Sequence, residues 1–258
     1  MNAPVWLLLR GLTRDQRHWG DVPERLTRAL PPGAQVVCID LPDNGGLHHL
    51  RSAATVAGLV AQARAQVAEC GLAGRPVHLL AMSLGAMVAV AWAAAHPDEI
   101  AGAVLVNTSL RPFSPFWQRL RPRAWAPLLA CLWPGTSAER WERCILGLTS
   151  ARAVRRPEAP ALLRQWADWR RSHPVSRANA LRQLLAAATF RAPRRAPPVP
   201  LRLLNGAADG LVHPACSQAV ARAWNLPIAV HPDAGHDLPL DDPDWVVAQV
   251  VAWRAGVR

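Results

Sequence analysis

Lysine is absent from the 258 residues, so arginine carries all the basic charge: 29 basic against 18 acidic residues, a formal net charge of +11. A genome rich in G and C favours arginine codons, which explains the choice of residue but not where it is placed. Runs of eighteen apolar residues are also absent, which argues against a membrane-spanning helix. The first ten residues lack a basic leader and hold an apolar run of five, so they read as a strand rather than a secretory signal. Five cysteines (Cys38, Cys70, Cys131, Cys144 and Cys216) are odd in number and scattered, which excludes a disulfide framework. Cys38, in a strand, and Cys70, at a helix end, read as core residues, and the set fits a reducing cytoplasm. His48 and His49 lack metal-ligand spacing, and neither a metal nor an organic cofactor is expected. The pI near 11.3 invites nucleic-acid binding, but no recognised motif accompanies it, so nucleic acid is not an expected partner.

What is present suits one large α/β domain with an insertion: 51% of residues are hydrophobic. Strands are expected at Val5–Leu9, Val36–Ile39, Val77–Ala81, Ala103–Val106, Leu201–Leu204 and Pro227–Val230. Helical stretches near residues 16–30, 52–70, 84–96, 215–224 and 243–254 alternate with them. That alternation predicts a mainly parallel sheet with helices on both faces, and in such sheets ligands bind beyond the C-terminal strand ends.

The most informative stretch is Leu79 to Ala86, where Ser83 joins a buried strand to an alanine-rich helix. A serine hydroxyl is a weak nucleophile unless it is exposed, held and paired with a base. A sharp strand-to-helix turn exposes and holds it, and demands small residues two positions to either side, here Ala81 and Gly85. A serine at such a turn also suits a plain helix cap, so partners decide the matter. In a triad running serine, acid, histidine along the chain, the acid follows a late strand and the base lies near the C-terminus. Asp209 follows Leu201–Leu204 in a glycine-flanked loop, and His236 follows the last strand directly after Gly235.

The competitors are weaker. His213 lies four residues past Asp209 at a helix start opened by Pro214. His231 sits at a strand end. Asp233, Asp237, Asp241, Asp242 and Asp244 come too late for the acid's strand and read as a solvated acidic turn with a helix cap. Stabilising the oxyanion needs two backbone N–H groups, one after the nucleophile and one after an early strand. Leu84 and Leu12 are the candidates, and losing one such donor costs about 100-fold to 1000-fold in turnover. Trp19 is expected to pack beneath the Leu12 loop.

These pieces resemble the α/β-hydrolase superfamily, and within it the small, single-domain bacterial carboxylesterases and pimeloyl-carrier-protein esterases. The resemblance rests on Leu8-Leu9-Arg10-Gly11, Ile39-Asp40-Leu41-Pro42, Ala81-Met82-Ser83-Leu84-Gly85, His96-Pro97-Asp98, Asn205-Gly206-Ala207-Ala208-Asp209 and Ala234-Gly235-His236. It covers roughly residues 1–110 and 196–258. Departures are Arg10 for histidine, Ala81 for glycine, and Asp43-Asn44 where Gly-His is usual. The resemblance implies an α/β-hydrolase core over residues 1–109 and 196–258, with residues 110–195 forming a helical lid over the site.

Residues 110–195 contain no convincing strand and read as short helices broken by prolines, Pro122, Pro127 and Pro160 among them. They hold 17 arginines against Glu139, Glu142, Glu158 and Asp168, a net of +13, while the rest of the chain nets −2. Six tryptophans (Trp117, Trp125, Trp133, Trp141, Trp166 and Trp169) are interleaved. Three readings are open: steering of an anionic or carrier-bound acyl substrate, peripheral contact with an anionic membrane, or tryptophans that pack the lid while arginines are merely solvated.

The function expected is hydrolysis of a small-molecule carboxylic ester or thioester through an acyl-enzyme on Ser83, with His236 as base and Asp209 as its support. The alternatives are acyl transfer, carbon–carbon bond hydrolysis or lyase chemistry on the same scaffold, and a non-catalytic ligand-binding receptor.

Overall fold

A computed structural model of the chain describes residues 3–256. Six strands, β1 (Val5–Leu9), β2 (Gln35–Ile39), β3 (Val77–Met82), β4 (Ile100–Val106), β5 (Leu201–Gly206) and β6 (Ile228–His231), form one sheet in the order β2-β1-β3-β4-β5-β6. Every pairing is parallel. The six expected strands are therefore all present, and the sheet is wholly parallel.

The strands are apolar runs because both faces are covered. On one face Leu7, Leu9, Leu79, Ala81, Leu105 and Leu203 join a core with α2 (Val56–Glu69), α3 (Leu84–Ala95) and α9 (Ala215–Trp224). Their alternate neighbours Trp6, Leu8, Leu80, Val104 and Leu204 face α1 (Val22–Ala29), the short α10 (Leu238–Asp241) and α11 (Pro243–Gly256). Two expected helix starts shift for local reasons. Residues 16–30 divide into a 3-10 turn, Gln16–Trp19, and α1, because Gly20 turns the chain with φ 58°. The stretch from residue 52 becomes helical only at Val56, where Thr55 caps α2 by accepting from the Gly58 N–H at 3.2 Å.

Between β4 and β5 lie α4 (Phe116–Arg119), α5 (Pro122–Cys131), α6 (Ala138–Thr149), α7 (Ala159–Ser172) and α8 (Arg177–Thr189). The prolines punctuate this segment less than the sequence suggests. Pro122 opens α5 and Pro160 lies in the first turn of α7, where the missing N–H has no partner to lose. Pro127 lies inside α5 without ending it. The bond it forfeits would reach Arg123, the second residue of the helix, so only the first turn is weakened. Cys70 also departs from expectation: it is exposed at the end of α2, and all five thiols are free.

The chain passes from β1 outward to β2 and then to β3 on the other side of β1. A parallel sheet binds its ligands at such a reversal, beyond the C-terminal ends of the strands, here β1 and β3.

Candidate active site

Ser83 occupies the turn from β3 into α3 with φ 54° and ψ −115°, a region that non-glycine residues rarely adopt. Its N–H donates to the Val106 carbonyl at 2.9 Å, which ties the turn to β4. Gly85 lets the turn close: a Cβ there would stand 2.5 Å from the Leu9 carbonyl oxygen and 2.6 Å from that of Arg10. Ala81 is fully buried in the core, so its methyl group is accommodated. Gly11 passes beside the serine, where a Cβ would come within 3.1 Å of Ser83 Cβ. The loop after β1 therefore runs along the elbow.

His236 and Asp209 meet across 27 residues of chain. Nδ1 of His236 donates to Oδ2 of Asp209 at 2.7 Å, and both residues are buried. A carboxylate oxygen accepts, so this proton sits on Nδ1 and Nε2 is left as the basic nitrogen. The other Asp209 oxygen accepts from the N–H groups of Leu211 and Val212 at 2.8 and 2.9 Å, which fixes the carboxylate. The Ser83 hydroxyl makes no hydrogen bond to His236 among the described residues.

Asn107, at the end of β4 with φ 46°, locks the loops that carry the pair. Its amide nitrogen donates to the carbonyls of Gly235 and His236 at 3.0 and 2.6 Å. Its oxygen accepts from the Gly206 N–H at 2.8 Å and the Asn205 amide at 3.0 Å. An asparagine at a strand end, where left-handed backbone is tolerated, is the signal that could have marked it.

Leu84 N–H is the first of α3 and has no partner within the helix. Neither it nor Leu12 N–H donates to another group among the described residues. Arg10, two residues before Leu12, is buried and forms a bidentate pair with Asp237 at 3.1 and 2.6 Å. Its guanidinium also lies 4.9 Å over the ring of Trp19, which packs beneath this loop as expected. Burial pushes the Asp237 carboxyl up, but the charge and hydrogen bonds of Arg10 outweigh it and hold the group below the usual carboxylate range. On the other side of the loop, Gln183 of α8 accepts from the Thr13 N–H at 2.9 Å and donates to the Pro42 carbonyl at 3.3 Å.

Of the acidic residues around His236, Asp233 and Asp244 are exposed, but Asp237 and Asp241 do not belong to a solvated turn. Asp237 is paired to Arg10, and Asp241 is completely buried. Asp241 accepts from the N–H groups of Ala151, Arg152, Ala153 and Gly235 at 2.9, 3.1, 3.0 and 2.7 Å, and from the Ser150 hydroxyl. It joins the end of α6 to the loop that carries His236. Asp242 caps α11 by accepting from the Trp245 N–H at 3.0 Å. His231 is engaged through both nitrogens, with Asp242 at 3.1 Å and with the Asp233 and Ala234 N–H groups at 3.1 and 3.0 Å. His213 accepts from the Ala215 N–H at the start of α9, at 3.2 Å.

A second buried charge group ties α6 and α7 to the same loop. Glu142 of α6 is buried between Arg14 and Arg170, each at 2.5 Å. Burial raises its carboxyl, and the two guanidinium groups bring it below the ordinary value. Arg14 also reaches Nε2 of His18 at 3.0 Å, and the His18 imidazole is lowered to about 4 by burial and by Arg14. Among the described residues no group of three or more His, Cys, Asp or Glu side chains is placed to hold a metal ion. None of the described helices is long and apolar enough to cross a membrane.

A model of the alpha/beta hydrolase family matches residues 6–249. Among curated proteins, the monoacylglycerol lipase abhd6-B of Xenopus laevis is 32% identical over 108 residues, which is 41% of this chain and 30% of that protein. The monoacylglycerol lipase ABHD6 of Mus musculus is 31% identical over 126 residues, 46% of this chain and 36% of its own length. The chain thus matches about a third of each relative. Among solved structures, a thermophilic esterase from Thermogutta terrifontis superposes with a TM-score of 0.77 at 23% identity, covering 99% of this chain and 91% of that one. The enol-lactonase of Burkholderia xenovorans LB400 gives 0.76 at 19% identity, covering 99% and 92%. Likeness at these identities speaks to the fold.

Proposed function

Because the chain belongs to the alpha/beta hydrolase family, we propose that it hydrolyses a carboxylic ester or thioester through an acyl-enzyme on Ser83. The reading is carried by the buried 2.7 Å bond from His236 to Asp209, at the same end of the sheet as a serine held in strained backbone. His236 takes the Ser83 proton through Nε2 as the hydroxyl attacks the substrate carbonyl. Asp209 holds the imidazole in the required tautomer and stabilises the imidazolium that forms. The N–H groups of Leu12 and Leu84 bind the oxyanion. The protonated His236 then gives its proton to the leaving group, and water, activated in turn by His236, releases the acid and restores the serine. Hydroxyl and imidazole come into hydrogen-bond distance as substrate binds, since such bonds tighten in the Michaelis complex.

The names of the curated relatives, both monoacylglycerol lipases, favour an ester of a small alcohol over other leaving groups. Residues 110–195 act as the lid, anchored by Asp241 on one side and by Glu142 and Gln183 on the other. Treatment with a fluorophosphonate tests the reading. One equivalent should attach to Ser83, with labelling lost in Ser83→Ala and His236→Ala, and turnover of p-nitrophenyl esters should fall about 10⁶-fold in Ser83→Ala. A folded protein that takes no label would be a receptor. Acyl transfer to added alcohols in preference to water would make it a transferase.

A further inference from the structure

Helix α8 is two-faced. Ala180, Gln183 and Ala186 are buried against the body, while Leu181, Leu184 and Leu185, at i, i+3 and i+4, face solvent. Helix α5 shows the same excess: Trp125 and Leu129 are one turn apart and exposed, and Trp133, just past its end, is 72% exposed. Phe116 and Trp117 of α4 are exposed as well.

These elements are linked to one another. The Phe116 ring stacks on Trp125 at 6.1 Å, joining α4 to α5. Arg119 of α4 donates to the Ala187 and Ala188 carbonyls at the end of α8, at 2.5 and 3.3 Å. Arg177, at the start of α8, donates to the Trp133 carbonyl at 3.3 Å. The end of α8 is thus tied to α4, just before α5, and its start to the turn just after α5, with an arginine at each link. Scattered surface leucines need no explanation, but a contiguous patch marks an interaction site.

The charge identifies the partner. Residues 110–138 and 169–208 contain no aspartate or glutamate, and the four acids of the segment all lie on the stretch from Glu139 to Asp168. The apolar face is thus bordered by arginines that no local carboxylate neutralises. We propose that α4, α5 and α8 rest on an anionic phospholipid surface, with indole and leucine side chains at the headgroup boundary and the exposed Arg177 and Arg191 around them. A second copy meeting face to face would bring two such positive surfaces together. An acidic carrier protein would complement the arginines but leave an apolar centre against its charged helices. Arg121 and Arg123, at the start of α5, donate to the Asp209 and Gly210 carbonyls at 2.8 and 2.9 Å. Docking would therefore bring the loop that carries Asp209 towards the source of a lipid ester. The docking itself does not depend on Ser83.

Co-sedimentation of the full chain with vesicles tests the proposal. Phosphatidylcholine mixed with an equal amount of phosphatidylglycerol should bind about tenfold or more tightly than phosphatidylcholine alone, and added salt should weaken the difference. Ser83→Ala should bind as the parent does. Leu129→Ser with Trp133→Ser, and separately Leu181→Ser with Leu185→Ser, should each weaken binding to the anionic vesicles about tenfold while hydrolysis of a water-soluble ester is kept. Arg177→Gln and Arg191→Gln should each cost about fivefold. Equal or absent binding to the two vesicles, binding indifferent to the serine substitutions, capture of a small acidic carrier protein without vesicle binding, or self-association that those substitutions abolish would each overturn it.

Discussion

Tryptophan and arginine are mixed throughout the segment between β4 and β5, yet its two halves use them in opposite ways. In α6 and α7, Arg170 lies 4.3 Å over the Trp141 ring, and Arg14 and Arg17 reach across from the body to lie 4.4 and 5.1 Å over Trp166 and Trp169. In α4, α5 and the turn that follows, Trp117, Trp125 and Trp133 are exposed. The difference lies in the carboxylate. Glu142 makes it possible to bury Arg14 and Arg170 together, and their planar groups then form a polar floor on which indoles stack. Where no acid is supplied, Arg119, Arg121 and Arg123 bond only to backbone carbonyls and the tryptophans remain outside. One half is a clamp on the Leu12 loop and the other is a surface left for a partner.

The comparison breaks most readily at Glu142. In Glu142→Ala two buried guanidinium groups lose their counter-charge, so unfolding free energy should fall by about 3–5 kcal/mol, read from the urea midpoint. A loss below about 1 kcal/mol would mean that α6 and α7 are held no more firmly than α4 and α5.

Acid should loosen the same half. His18 stays neutral in the folded chain down to about pH 4, whereas the unfolded chain takes up that proton near 6.5. Its contribution is complete above pH 6.5 and is lost as pH falls towards 4, to a total of about 3 kcal/mol. Asp40, raised to about 6 by burial and by Asp15, works in the opposite sense over part of this range. The slope is therefore read as the difference between parent and His18→Gln, and the variant should lose less stability than the parent between pH 7 and pH 5.

The exposed half should respond least. Trp133→Ser should change the urea midpoint by no more than about 0.5 kcal/mol. A larger loss would show that Trp133 packs the fold together.

Legibility followed the range of the forces involved. The strands could be read because each is an apolar run covered on both faces, so burial leaves its mark on consecutive residues. The meeting of Asp209 with His236 could be read because chain order and strand ends constrain where such side chains stand, and Ser83 stands at the turn the sequence marks without a bond to that pair. Asp237 and Asp241 were misjudged for the converse reason. Their partners, Arg10 and the turn after α6, are 227 and about 90 residues distant, and a carboxylate looks solvated until its remote donor is known. The same distance hid the split among the six tryptophans, since no local pattern says which indole will find a guanidinium. Pro127 was misread because the position of a proline within its helix, rather than its presence, determines the cost.

The bond between Arg10 and Asp237 also carries a consequence for the order in which the molecule is made. The first strand leaves the ribosome more than two hundred residues before the carboxylate that will neutralise its arginine. Until that late segment arrives, the loop beside the serine holds a charge with no carboxylate to be buried against. A chain cut short anywhere before residue 237 should therefore leave the guanidinium of Arg10 without its counter-charge, however well the turn at Ser83 has formed.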